Sequence, residues 1–427
     1  MSAAQAVSAQ VGVIQATSEP ERIRALDVLR GFAILGILYM NVQDFSMPFS
    51  AYINPSVYGD LHGANFAVWF FGRVFVDQKF MTIFSLLFGA GVLLFTGRVE
   101  ARGIKPARLH FRRMGWLTLI GVMHGFLLWS GDILFSYGIC GMIVYRARRW
   151  SARRLLIVGI GLLTFGSAFG FAARWAMPHA PVDIQEFARE GWNPPRYVIA
   201  DDLAAYRGGW RAQERQRAVE MFFGSTMGML FYTLWRVVGL MLAGMALFKL
   251  EVITGRRPAA TYWKMAAVGL GVGVPVSVVG AWLDVKSGFS YGYANLYGPQ
   301  FNYWGSLIVA VGWIGLVLLA ARRFEGAAWL RRLSATGQMA FTNYLMQTIL
   351  CTTLFYGHGL GWYGHVERIY QLAFAIVVWG MELAWSPVWL RHFRFGPFEW
   401  LWRSLTYRQA QPMRRQAPRA IIGASPA

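Results

Sequence analysis

The sequence predicts an all-α protein that threads a membrane about ten times, and three observations lead there. Of the 427 residues, 56% are hydrophobic and only 15% charged, a balance that soluble domains rarely show. Apolar stretches long enough for a helix to cross a hydrocarbon core, about 20 residues, recur along the chain. The 41 Lys+Arg outnumber the 21 Asp+Glu and gather in short runs between those stretches, without the basic helix or aromatic motif of a nucleic-acid reader.

Residues 1–20 hold no Lys or Arg ahead of the first apolar run. They read as a disordered tail, with the first helix an uncleaved anchor. Spans fall near 28–47, 66–97, 114–130, 131–145, 155–173, 224–248, 265–283, 303–321, 335–356 and 368–390. The stretch 66–97 is too long for one crossing, about 48 Å as a single helix, and the Arg73/Asp77/Lys79 group marks where it divides. With the N-terminus inside, 29 of the 41 Lys+Arg lie in cytoplasmic segments and 9 in outer ones, so charge retention puts both termini in the cytoplasm. Such a chain belongs in a membrane as a multi-pass protein, with the lipid bilayer as its first partner and a homo-oligomer compatible with it.

The organisation that follows is a membrane region over 21–223, which includes an outer loop at 174–222, a second membrane region over 224–407, and a disordered basic tail over 408–427. The outer loop carries Pro178, Pro181, Pro194, Pro195 and the stretch "RAQERQRAVE", and is expected to form a cap with one short amphipathic helix. Cys140 and Cys351 sit in apolar runs, where a thiol acts as a small hydrophobe. They suggest neither a disulfide framework nor a metal site.

Ionisable groups within lipid are costly, and each is a functional candidate. In "GVMHGFLLWSGDIL", His124 falls in the outer half of its span, where imidazole suits proton transfer near neutral pH. It is read either as a base or as interhelical glue. Asp132 opens the next helix, either as a carboxylate on a helix N-terminus or as the group that orients His124, and Tyr137 is a second partner for the ring. Asn41 ends the first span, Asp27 and Arg30 pair at its inner edge, and His62 lies in the outer loop beyond. Arg236, mid-span, must meet a carboxylate, carbonyls, water or a bound anion. Thr336, Asn343 and Gln347 form a polar stripe that lines either a helix contact or a wet cavity.

The motifs "LDVLRGFAILGILYMNV", "KFMTIFSLLFGAG", "GVMHGFLLWSGDIL", "GLMLAGMALFKL", "GQMAFTNYLMQTIL" and "GPFEWLWRSLTY", taken in order over 21–407, resemble the YeiB-type bacterial inner-membrane family, whose C-terminal half is a domain of unknown function. The N-terminal half is also similar to heparan-alpha-glucosaminide N-acetyltransferase and related integral-membrane acyltransferases. That resemblance implies acyl transfer from cytoplasmic acyl-CoA, acetyl-CoA above all, to a glycan or other envelope acceptor, with no metal. It places Arg30 and Asn41 on matching positions, and His62 or His124 as the base. Arg108, Arg112 and Arg113 are read either as meeting the phosphates of the donor or as the charge that retains their segment in the cytoplasm. Asn41, Asp132, Arg236 and Asn343, with Gln347 and Tyr137, are expected around the acceptor. The rival readings are a solute permease with the same polar groups at its site, and a noncatalytic partner in envelope assembly.

Overall fold

A computed structural model describes residues 23–415, so the expected N-terminal tail at 1–20 lies outside the described residues. The chain opens with α1 (Arg24–Ser46) and a short α2 (Phe49–Ile53). Then α3 (Gly63–Phe71) runs through a π-helical turn, Gly72–Val76, to a break before α4 (Lys79–Ala101). The break falls at Gln78, which is left-handed at φ 62, so the overlong stretch divides at the Arg73/Asp77/Lys79 group. After these come α5 (Pro106–Leu127), the short α6 (Leu134–Val144) and α7 (Ala152–Ala176).

The outer loop holds three helices rather than one: α8 (Val182–Trp192), α9 (Arg196–Arg207) and α10 (Trp210–Phe223). Proline at the head of each of the first two explains the division, because its fixed φ suits the edge of a helix. The last of the three runs on through a π-helical stretch, Gly224–Thr233, into α11 (Leu234–Lys249). Residues 210–249 are thus one helical stretch of 40 residues, and the division expected between 223 and 224 falls inside it.

The rest comprises α12 (Ala259–Lys286), α13 (Tyr291–Leu296), α14 (Gly298–Arg323), α15 (Ala328–Gln338), α16 (Ala340–Phe355), α17 (Arg368–His392) and α18 (Pro397–Tyr407). Residues 408–415 are ordered, contrary to the expected tail: Phe393 and Arg414 form a β-bridge, and Arg394 N donates to the Met413 carbonyl at 2.9 Å. Among the described residues seven helical stretches are long and apolar enough to cross a membrane. The protein is an all-α polytopic membrane protein.

Helices in lipid gain little from hiding apolar surface from one another, so close backbone approach at small residues holds them together. A Cβ on Gly31 would lie 2.0 Å from the Leu333 carbonyl oxygen, and one on Gly337 1.8 Å from that of Asp27, which docks α1 on α15. The same holds for Gly89 against Met241 and Gly244 against Leu86, which dock α4 on α11. The glycines of "LRG", "LFGAG" and "LAGMA" therefore fix which helices touch. Elements of the two expected membrane regions interleave at both contacts.

Candidate functional site

The hairpin between α5 and α6 brings His124 and Asp132 together. Helix α5 unwinds after Leu127, with the His124 carbonyl accepting from both Leu128 N and Trp129 N. Gly121 lets α6 come close, since a Cβ there would meet Phe135 N at 2.1 Å. Asp132 Oδ2 accepts from Phe135 N at 2.8 Å, and Oδ1 lies 2.8 Å from His124 Nδ1. One oxygen of the carboxylate thus caps the start of α6 and the other meets the His124 ring. The other ring nitrogen, Nε2, faces the Thr348 hydroxyl of α16 at 3.0 Å. Both side chains of the pair are almost fully buried. Tyr137 is not a partner of His124: its hydroxyl pairs with Ser85 Oγ at 2.6 Å.

Beside this group runs a cavity of about 450 Å³. It follows α1 from Ile23 to Asn41, about 27 Å at 1.5 Å per residue, close to the thickness of a hydrocarbon core. Arginines line one end, among them Arg30, Arg98, Arg113 and Arg403. Asn41, Tyr52, Gln78 and Gly131 line the other. Arg113 is held between the rings of Trp402, 4.0 Å from its centroid, and Phe95, at 4.7 Å. Arg30 pairs with Asp27 at 3.0 Å, as the i, i+3 spacing implied. Arg108 and Arg112 do not line this cavity; Arg112 Nη1 donates to the Thr406 carbonyl.

The expected polar pocket of Asn41, Asp132, Arg236 and Asn343 is not formed, because only Asn41 and Tyr137 among the acceptor candidates reach the cavity wall. Arg236 is fully buried and satisfied within the protein. It donates to the Tyr303 carbonyl at 3.1 Å, Ser306 Oγ at 2.7 Å and Thr82 Oγ1 at 3.3 Å, and its guanidinium lies 4.4 Å from the Tyr303 ring centroid. No carboxylate, Asp132 included, is within salt-bridge reach of it among the described residues. Asn343 and Gln347 face α17: Asn343 binds Ser386 Oγ and Trp385 Nε1, and Gln347 donates to Glu382 Oε2 at 3.2 Å. The polar stripe is a helix contact. His62 stands in the outer loop with its side chain 94% exposed, bound to Asp60, whose pKa the Asn65 amide and His62 hold down at about 2.

Three groups escaped the sequence reading. Tyr344 lines the cavity with its ring centroid 5.4 Å from that of His124, and its buried hydroxyl has no partner. His110 also lines the cavity and keeps Nδ1 unpartnered while Nε2 binds the Gly141 carbonyl. Glu399 binds Phe341 N, Thr342 N and Thr342 Oγ1, so it caps the helix that restarts after the break at Met339. The glutamate of "GPFEW" was the signal for that cap, but its target lies 57 residues away.

A broken helix, a buried acid–imidazole pair and a cavity along the bundle define a polytopic membrane protein with an internal site. Non-helical backbone at this depth is tolerated where it lines such a cavity. The chain belongs to the YeiB-type family. It is 31% identical to "Uncharacterized protein YeiB" of Escherichia coli (strain K12), over 92% of this chain and 98% of that protein. It is 30% identical to "Uncharacterized protein YxaH" of Bacillus subtilis (strain 168), over 94% and 98%. It is also 28% identical to "Uncharacterized 39.9 kDa protein in amylase 3'region" of Bacillus acidopullulyticus, over 92% and 96%. Residues 247–409 match a family described as "Protein of unknown function (DUF418)".

Proposed function

We propose that this protein is a transmembrane acyltransferase that takes an acyl group from cytoplasmic acyl-CoA and gives it to an acceptor on the outer side of a bacterial cytoplasmic membrane. The observation that carries the reading is the long cavity, with arginines at one end and uncharged hydrogen-bonding groups at the other. Charge retention puts the arginine-rich end in the cytoplasm. There Arg30 and Arg113 suit the phosphates of the donor, and the cavity takes its extended arm towards Asn41.

At the outer end the thioester carbon–sulfur bond breaks and an acyl–oxygen or acyl–nitrogen bond forms. The acceptor proton leaves to a base, and the thiolate is protonated to release free CoA. Asn41, at the outer end of the cavity, is suited to hold the developing oxyanion. His124, oriented by Asp132, serves as the base. Tyr344 forms the wall between ring and cavity, so it must turn aside for His124 to reach the acceptor.

The test gives purified protein in lipid nanodiscs radiolabelled acetyl-CoA together with envelope glycan fractions. Label on the glycan in wild type and not in His124→Ala supports the reading; no label on glycan or protein, with labelled donor still bound, rejects it.

A solute permease is the second reading, favoured by one observation. Glu382 is fully buried in α17 with Oε1 unpartnered and no cation within salt-bridge reach among the described residues, as in a proton-coupled carrier. Solute uptake into proteoliposomes that is driven by a proton gradient, and lost in Glu382→Gln, would favour it.

A further inference from the structure

The outer loop lays one helix along the end of the bundle. Helix α8 has 11 residues, too few to cross a hydrocarbon core, and it is tied to the outer ends of two crossing helices. Gln185 Nε2, in its second turn, donates to the Pro178 and Ala180 carbonyls at 3.1 and 2.9 Å, within four residues of the end of α7. Trp192, its last residue, donates its indole N–H to the Phe289 carbonyl at 2.9 Å, just past the end of α12. Asn54 Nδ2 meets the Trp192 carbonyl at 3.2 Å and fixes the same end to the chain after α2. Both α7 and α12 are long and apolar enough to cross a membrane, and the single stretch 210–249 returns the chain between them, so these two ends lie on one side. A helix held between them runs along the membrane surface.

The level of that surface is marked on α12. Trp263 and Trp282 are both exposed on it and stand about 28 Å apart at 1.5 Å per residue, close to the thickness of a hydrocarbon core. Lys286 Nζ lies 4.9 Å from the Trp282 ring centroid; tryptophan and lysine at the end of a crossing helix belong to the headgroup layer. The chain turns back there, with Phe289 N on the Asp284 carbonyl at 2.9 Å, so the bond from Trp192 falls within about a turn of this boundary. The faces of α8 agree. Gln185, Ala188 and Trp192 form its more buried side, while Asp183, Glu186, Arg189 and Glu190 are all exposed. Beside the charged side Ile184 and Phe187, at i and i+3, stand out 46% and 69% exposed. That pattern, an apolar edge next to a charged one on a short helix, suits an interface. Trp175, in the last turn of α7, extends the same apolar rim at 62% exposed.

We infer that α8 is an interfacial anchor, which seats Ile184 and Phe187 at the headgroup–acyl boundary of the outer leaflet and so holds the cap against the bundle. The partner is the lipid surface itself. Its headgroups need carry no net charge, because Asp183, Glu186 and Glu190 outnumber Arg189 along the helix and leave apolar burial as the attraction. The charged stretch "RAQERQRAVE" lies instead in α10, where Arg217 and Met221 are buried in protein and Glu220 accepts from Ser130 Oγ at 2.5 Å, next to the His124 hairpin. A seated α8 therefore steadies the cap over that hairpin. Lipid seating of α8 is independent of whether the protein transfers an acyl group.

Nitroxide labels are attached one at a time to Ile184→Cys, Phe187→Cys and Glu186→Cys in the full-length protein, reconstituted in nanodiscs of zwitterionic phosphatidylcholine; the native cysteines are buried. Collision rates are then compared for oxygen, which concentrates in lipid, and a nickel chelate, which stays in water. Oxygen should dominate at 184 and 187, and the nickel chelate at 186. Nickel dominance at 184 and 187 would put that face in water, and low rates with both reagents would put it against protein, a second copy included; either result overturns the anchor. In the same nanodiscs Phe187→Ser should speed protease nicking of the 174–222 region about tenfold, the scale of one lost ring burial, and Phe187→Leu should stay close to wild type. Nicking of Phe187→Ser at the wild-type rate also overturns the anchor.

Discussion

His124 and Asp132, eight residues apart, meet across the α5–α6 turn with Nδ1 2.8 Å from Oδ1. The ring is therefore fixed at both nitrogens, since Thr348 holds Nε2 from another helix. If this arrangement is catalytic, His124→Ala should lose about 10²-fold or more in turnover, the usual share of a general base, while acetyl-CoA still protects the protein against heat. Asp132→Asn should lose activity too, with acetyl-CoA affinity retained. A drop in melting temperature with unchanged turnover per folded molecule would make the pair a helix staple instead.

Arg236 offers a contrast, because its hydrogen bonds all end on Tyr303, Ser306 and Thr82. Arg236→Met should destabilise the protein by about 3 kcal/mol or more, as several buried acceptors lose their donor. The stabilisation by acetyl-CoA should be as large as in wild type. A loss of that ligand response at unchanged stability would place an anion on Arg236 after all.

Glu399 and Thr342 carry the restart of the broken helix. Glu399→Ala should cost about 1–2 kcal/mol through the lost cap, read as a lower melting temperature in detergent, and Glu399→Gln should recover part of it. Equal melting temperatures for wild type and Glu399→Ala would remove the cap from the account.

The outer cap docks through α9: the Tyr206 carbonyl accepts from Gly357 N, and Arg207 donates to the Tyr363 carbonyl. Within that interface burial, with Glu220 nearby, raises the Asp202 carboxyl to about 7, against a smaller lowering by the Tyr363 hydroxyl. A carboxyl whose folded pKa is raised keeps its proton while the unfolded chain loses it, so stability falls as pH rises from about 4 to about 7. Protease nicking of the 174–222 region should be slower at pH 5 than at pH 8, and Asp202→Asn should flatten the difference. Undiminished pH dependence in that variant would assign it to another group.

The expected sidedness rests on the 29 to 9 distribution of positive charge. Cysteines at the exposed positions Asn193 and Leu360 should react with an impermeant thiol reagent in intact cells, and one at the exposed Ala259 should not. The native Cys140 and Cys351 are buried and give little background. Labelling at Ala259 alone would invert the orientation.

The sequence by itself determined the all-α membrane class, the point where the 66–97 stretch divides, and the motif that holds His124 and Asp132. Each depends on neighbours along the chain: apolar length, a charged break, a tight turn closed by glycine. Only the tertiary structure decided what the buried polar groups face. Arg236 had to meet a carboxylate, carbonyls, water or an anion, and the fold supplies a carbonyl and two hydroxyls from α4 and α14. Asn343 and Gln347 looked able to line a cavity, yet Ser386 and Glu382 of α17 take them up. Ile184 and Phe187 drew no notice in the outer loop, and only folding set α8 between the outer ends of α7 and α12. In lipid a polar side chain must find its partner inside the protein, and which helix supplies that partner depends on the close approaches at Gly31, Gly89, Gly244 and Gly337, contacts between segments far apart in the chain.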